Sequence, residues 1–161
     1  MANRKPLIVY VDRLTQFTHH YVMALAKHFK LQHFQTFPEA ISFILNNRQK
    51  ISLVIIEPMM PHGHEFEKDQ TEQGILGGVP FSNLLTSLYP ESLRQVILTN
   101  LCVAKNNRKA KATETEYVIV GNHVTVLSKK ETQPLDLVQH VKDCLKTSVC
   151  HQHLLKDALI G

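Results

Sequence analysis

The stretch Ile51-Ser-Leu-Val-Ile-Ile-Glu57-Pro-Met-Met60-Pro61 decides how the rest of the chain reads. An apolar run of strand length, rich in β-branched residues, ends in a single acid and then prolines. A central parallel strand needs such a run, because helices cover both of its faces. In open parallel α/β sheets ligands bind beyond the carboxyl ends of the strands. The strand therefore delivers Glu57 to the place where such folds do their chemistry.

Working outward, Leu7-Ile-Val-Tyr-Val11 is a β-rich run that ends at Asp12-Arg13. Leu14, Phe17, Tyr21, Leu25 and Phe29 then recur at steps of three and four, the period of an amphipathic helix. Leu31 to Phe37 reads as a weaker second strand, and Pro38 opens a helix with the stripe Ala40, Ile41, Ile44 and Leu45. After Glu57 comes a polar, aperiodic stretch from His62 to Gly74, read as a loop. It is longer than the usual βα connection, and long loops at strand ends often carry function. Ile75 to Tyr89 reads as helix, Gln95 to Asn100 as the fourth strand and Val124 to Lys129 as the fifth. Leu135, Leu137, Val138, Val141 and Leu145 mark a last helix, with Pro134 near its start.

Between Leu101 and His123 two readings stand side by side. Ala104 to Ala112 fits a helix, while Tyr117 to Val120, Gly121-Asn122 and Val124 fit a strand, a turn and a strand. An extra strand near 117–120 is one of the two outcomes.

Alternation of strand and helix argues for a flavodoxin-like, doubly wound, five-stranded parallel sheet of order 2-1-3-4-5. Asp12, Glu57, Thr99 and Lys129 then converge at one sheet edge. Over the 161 residues this gives one domain, 1–146, followed by a tail or helix extension, 147–161. No run nears the ~18 apolar residues of a membrane span, and the N-terminus lacks the pattern of a secretory signal. Three cysteines, Cys102, Cys144 and Cys150, suggest reduced thiols. A cytoplasmic protein is expected. The net charge of +4 tolerates an acidic partner without requiring one.

Acid after strand one, acceptor after strand three with Met60-Pro61 beyond it, hydroxyl after strand four and lysine after strand five: this order resembles the receiver domains of bacterial two-component response regulators. The resemblance runs to about Leu145. It implies that Asp12 takes the place of a magnesium-binding acid and Glu57 that of the phosphorylated aspartate. Thr99 and Lys129 take the places of the groups that bind phosphoryl oxygens. Lys130 competes with Lys129 for this place: strand alternation favours Lys129, and the distance to Leu137 favours Lys130.

Several departures from the family pattern matter. Arg13 stands where the family has a second acid. Glu57 carries its carboxylate one bond, ~1.5 Å, further out than aspartate, which spoils in-line geometry. Val126 stands where the family has an aromatic. Loss of a carboxylate ligand and gain of a guanidinium oppose magnesium-assisted phosphoryl transfer. Arg13 is expected to fill the space of the metal as a bidentate partner for a carboxylate. Glu57 is expected to imitate a phosphorylated aspartate in part.

Other residues carry weaker signals. His62 and His64, His19 and His20, and Cys150 with His153 do not add up to a closed metal site, and surface histidines are the simpler reading. Lys105, Arg108, Lys109 and Lys111 form a basic cluster without a recognition helix or an aromatic platform, so nucleic acid is not the expected partner. No glycine-rich phosphate loop follows strand one, which argues against a nucleotide binder.

The expected function is that of a phosphorylation-independent pseudo-receiver in two-component signalling, a protein-binding module and not an enzyme, with no cofactor. Sixteen residues follow Leu145, so no output domain is expected after it. Its partner would be a sensor kinase or an output protein, with a homodimer through the last helix as a further option. The alternatives are a competent receiver that uses magnesium and accepts phosphate from a histidine kinase, and a small-ligand binder of the same fold.

Overall fold

The computed structural model describes residues 4–13, 16–58, 78–99, 104–105, 118–119 and 123–146. The strands are β1 (Leu7–Val11), β2 (Lys30–Phe34), β3 (Ile51–Ile56), β4 (Arg94–Thr99), β5 (Ala104–Lys105), β6 (Val118–Ile119) and β7 (Val124–Ser128). The helices are α1 (Gln16–His28), α2 (Phe37–Asn47), α3 (Gly78–Leu88) and α4 (Pro134–Lys146). A 3-10 turn, Arg48–Lys50, leads into β3.

The main sheet has five strands in the order β2-β1-β3-β4-β7, every neighbour parallel. Since β7 is its fifth strand, this is the 2-1-3-4-5 order of the flavodoxin-like fold. Side chains alternate across the strands and feed two cores. Val9, Val11, Val54, Ile56 and Ile97 pack on the face covered by α2 and α3. Ile8, Tyr10, Leu53, Ile55, Val96 and Leu98 pack on the face covered by α1 and α4. Ile51 and Leu53, two residues apart, nevertheless face opposite sides. The register between β1 and β3 slips there, with Leu7 opposite Ile51 and Ile8 opposite Leu53, so Ser52 is the extra residue of a bulge.

The expected elements recur with shifted ends. Phe37 belongs to α2, not to the second strand. Thr36 is extended, Pro38 sits in the first turn of the helix, and the Phe37 ring is buried against Phe81. Ala104–Lys105 is strand, not the start of a helix. Val118–Ile119 is an added strand, but it pairs in parallel with Ala104–Lys105 in a separate two-stranded sheet instead of forming a hairpin with Val124. The loop His62 to Gly74, Arg108, Lys109 and Lys111 of the basic cluster, and the tail 147–161 lie outside the described residues, as do Cys102, Cys150 and His153. No described helix is long and apolar enough to cross a membrane.

Candidate functional site

Three parallel strands deliver the site. β1 hands over to Asp12, whose backbone N–H donates to Phe34 O (3.1 Å) across to β2. β3 hands over to Glu57, whose N–H donates to Val11 O (3.0 Å). β7 hands over to Lys129, whose N–H donates to Thr99 O (2.9 Å) at the end of β4. Ladder bonds thus continue one residue past each of these strands and fix the three side chains at one edge.

The Lys129 ammonium lies between the two carboxylates. It pairs with Glu57 Oε2 and approaches Asp12 Oδ2 at 3.5 Å. All three groups are largely out of water: Asp12 is 3% exposed, Glu57 7%, and the Lys129 side chain 15%. Burial opposes the charge on Lys129, yet the charges and hydrogen bonds of Glu57 and Asp12 outweigh it and hold the ammonium pKa above its ordinary value. Burial pushes the Asp12 carboxyl up despite the opposing pull of Lys129 and Thr18. The Tyr10 phenol is pushed up first by its burial and then by the nearby Asp12 and Glu57 charges.

Other side chains orient this cluster. Thr18 Oγ1, from the first turn of α1, donates to Asp12 Oδ2 (3.0 Å). His33 Nε2 lies 2.9 Å from Asp12 O, and its ring meets Tyr10 edge to face. Tyr21 Oη donates to Thr132 O (2.6 Å), and Lys129 O lies at 3.4 Å, so α1 grips the loop that carries the lysine. Gly78 opens α3 directly over the strand end. Its N–H donates to Pro58 O (3.1 Å), and a Cβ there would lie 2.3 Å from Pro58 Cα and 2.5 Å from Glu57 O. Glycine at this position is a matter of space.

Of the residues singled out from sequence, Asp12, Glu57 and Lys129 come together. Thr99 is fully buried at the end of β4, opposite Ser128 in the register and tied to Lys129 through the backbone. Lys130 is exposed, its N–H taken by Ser128 Oγ (3.2 Å), so of the two lysines Lys129 is the one in the pocket. Arg13 is not where the sequence reading put it. It is exposed, and among the described residues no ion pair joins it to Asp12 or Glu57. The ammonium of Lys129 is what lies between the two carboxylates, because strand β7 aims it inward while Arg13 leaves the sheet toward solvent. Val126 is half-buried and packs against the α2–α3 core. Thr18, His33, Tyr21 and Gly78 were not anticipated as parts of the site. Tyr21 belonged to the core stripe of α1, and its hydroxyl bond depends on a loop over a hundred residues away.

The donor set does not suit magnesium. A magnesium ion asks for near-octahedral oxygen coordination. Here Asp12 Oδ2 already receives the Thr18 hydroxyl and faces the ammonium, Glu57 Oε2 is paired with it, and the residue after Asp12 is the exposed, cationic Arg13. Among the described residues no group of three or more metal-ligating side chains assembles.

No protein-family model and no curated protein matches the sequence. Solved structures do match the fold. A response regulator receiver domain from Clostridium thermocellum superposes with a TM-score of 0.57 at 15% identity, covering 92% of this chain and 98% of that one. A CheY-like receiver domain protein from Methanospirillum hungatei gives 0.56 at 15% identity, covering 88% and 94%. A signal receiver domain from Vibrio parahaemolyticus gives 0.56 at 17% identity, covering 98% of each chain. The chain has the fold of a receiver domain.

Proposed function

We propose that this protein is a pseudo-receiver of two-component signalling, a module that acts by binding another signalling protein without being phosphorylated and without catalysis. One observation carries the reading: the Lys129 ammonium is shared by the buried carboxylates of Asp12 and Glu57. A phosphoryl group arriving at Glu57 meets a longer side chain already paired with the lysine, beside a set of described donors that does not suit magnesium. The receiver fold of the neighbours supports the signalling class. The partner class is a sensor kinase or an output protein.

The test is to rebuild the family's acids. Arg13→Asp combined with Glu57→Asp returns two adjacent carboxylates and a shorter acceptor to the strand ends. The double variant should bind magnesium, read as saturable amide shifts at Asp12 and its neighbours, while the unaltered protein should not. A double variant that folds and still ignores magnesium would show that the pocket is not an altered receiver site.

A further inference from the structure

A groove of about 720 Å³ runs between α1 and the β7–α4 loop, beside the strand-end cluster. Its α1 wall is a single helical stripe. His20, Met23, Ala24 and Lys27 recur at steps of three, one and three, so they share a face that flanks the buried stripe of Tyr21, Leu25 and Phe29. Lys130 and Pro134 form the opposite wall. His20, Lys27 and Lys130 are exposed, and Met23 is 51% exposed, a large apolar side chain left in water between cations.

Charge decides the occupant. Among the described residues lining the groove none is acidic. Nearby Asp136 accepts the Gln133 N–H (3.0 Å) at the start of α4, so its carboxylate is engaged in capping, and Glu131 is exposed beside Lys130. The charge of Lys129 is already matched by Asp12 and Glu57. Lys27 and Lys130 have no described acid in an ion pair. They share the groove with the apolar Met23, Ala24 and Pro134, in a volume typical of ligand sites, ~300–1,000 Å³.

The geometry points to a docking site for an acidic peptide segment of a partner protein, carboxylates on Lys27 and Lys130 and one apolar side chain over Met23 and Pro134. This inference rests on the protein-binding reading above and supplies the chemistry of the partner. The groove also adjoins the altered pocket physically. Its wall includes Tyr21, whose hydroxyl holds Thr132 O, and Lys129 itself, so an occupant touches the loop that carries the shared ammonium.

The experiment uses the full chain and a synthetic heptapeptide of glutamates around a central leucine, followed by amide NMR. Saturable shifts at Met23, Ala24, Lys27, Lys130 and Gln133 are expected. The same peptide with lysines for glutamates should produce none. Charge reversal at two exposed positions, Lys27→Glu with Lys130→Glu, should weaken binding at least tenfold while the remaining spectrum stays that of the folded protein. No saturable shift at millimolar peptide, equal binding of the lysine peptide, or shifts on another face would overturn the proposal. Equal shifts from inorganic phosphate alone would also overturn it, by assigning the groove to a small anion. A self-association abolished by the same charge reversal would overturn it too, by giving the groove to a second copy. If the pocket binds beryllofluoride but the peptide still binds the groove, the pseudo-receiver reading fails and this site stands. If neither binds, this site fails and the silent pocket stands.

Discussion

Lys129→Met removes the ammonium shared by two buried carboxylates and keeps most of the side-chain volume. At the 3.5 Å separation from Asp12 Oδ2 and an effective dielectric near 20, one such contact is worth about 4–5 kcal/mol of gross attraction. Much of that offsets the cost of burying the charges. Removing one partner of a buried pair typically costs ~3–5 kcal/mol, since an uncompensated charge is left behind. The Lys129 side chain retains 15% exposure, and the carboxylates can escape by taking up a proton, so about 2–4 kcal/mol is expected at pH 7. The pH dependence is the sharper signature. The folded pKa of Asp12 is already raised by burial, and without the lysine it rises further. An acid whose folded pKa is raised contributes stability below its unfolded pKa and loses it as pH rises through the folded pKa. The deficit of the variant should therefore shrink on acidification, by up to ~1.4 kcal/mol per pH unit for one proton taken up. Urea unfolding at pH 7 and pH 5.5 measures both quantities, with the exposed Lys130→Met as a control expected within about 0.5 kcal/mol of the unaltered protein. A deficit below about 0.5 kcal/mol, or one equal at the two pH values, would refute the claim that this ammonium holds the pocket together.

The remaining expectations concern the groups around it. Asp12→Asn removes a buried carboxylate with a raised pKa but keeps an acceptor for Thr18; unfolding free energy measured from pH 4 to 7 should fall less steeply with pH than in the unaltered protein. Gly78→Ala places a methyl against Pro58 Cα and Glu57 O and should cost about 1–3 kcal/mol, as overpacking does, with amide shifts at Glu57 and Pro58's neighbours. Tyr21→Phe leaves Thr132 O without its 2.6 Å donor and should cost ~1 kcal/mol in thermal or urea unfolding. Ser82→Ala breaks the buried 2.6 Å bond to Gln95 Oε1 that joins α3 to β4 and should cost about 1–3 kcal/mol.

The strand skeleton was legible because each central strand of a parallel sheet is an apolar run, and β1, β3 and β4 announce themselves that way, while the edge strand β7 shows in the alternation of Val124 and Val126 around a polar residue. Their ends carry the site, so Asp12, Glu57 and Lys129 were legible too. Direction of approach was not. Nothing in Asp12-Arg13 tells that the second side chain turns to solvent, and Arg13 was given a place that the Lys129 ammonium takes. Thr18 looked like an ordinary helical residue, because its bond to Asp12 depends on how α1 leaves β1. The 101–123 stretch misled for another reason. Two-residue strands such as Ala104–Lys105 and Val118–Ile119 are too short to show a period, and their pairing is parallel across a long connection.

On the pseudo-receiver reading proposed above, the pocket closed by Lys129 takes no part in phosphoryl chemistry. Amide NMR of the unaltered chain, titrated with magnesium and then with beryllofluoride as a mimic of an acyl phosphate, tests it directly. A dispersed, folded spectrum with no saturable shifts at Asp12, Glu57, Thr99 or Lys129 is expected. Saturable, magnesium-dependent shifts clustered at those four residues would contradict it and make the protein a working receiver.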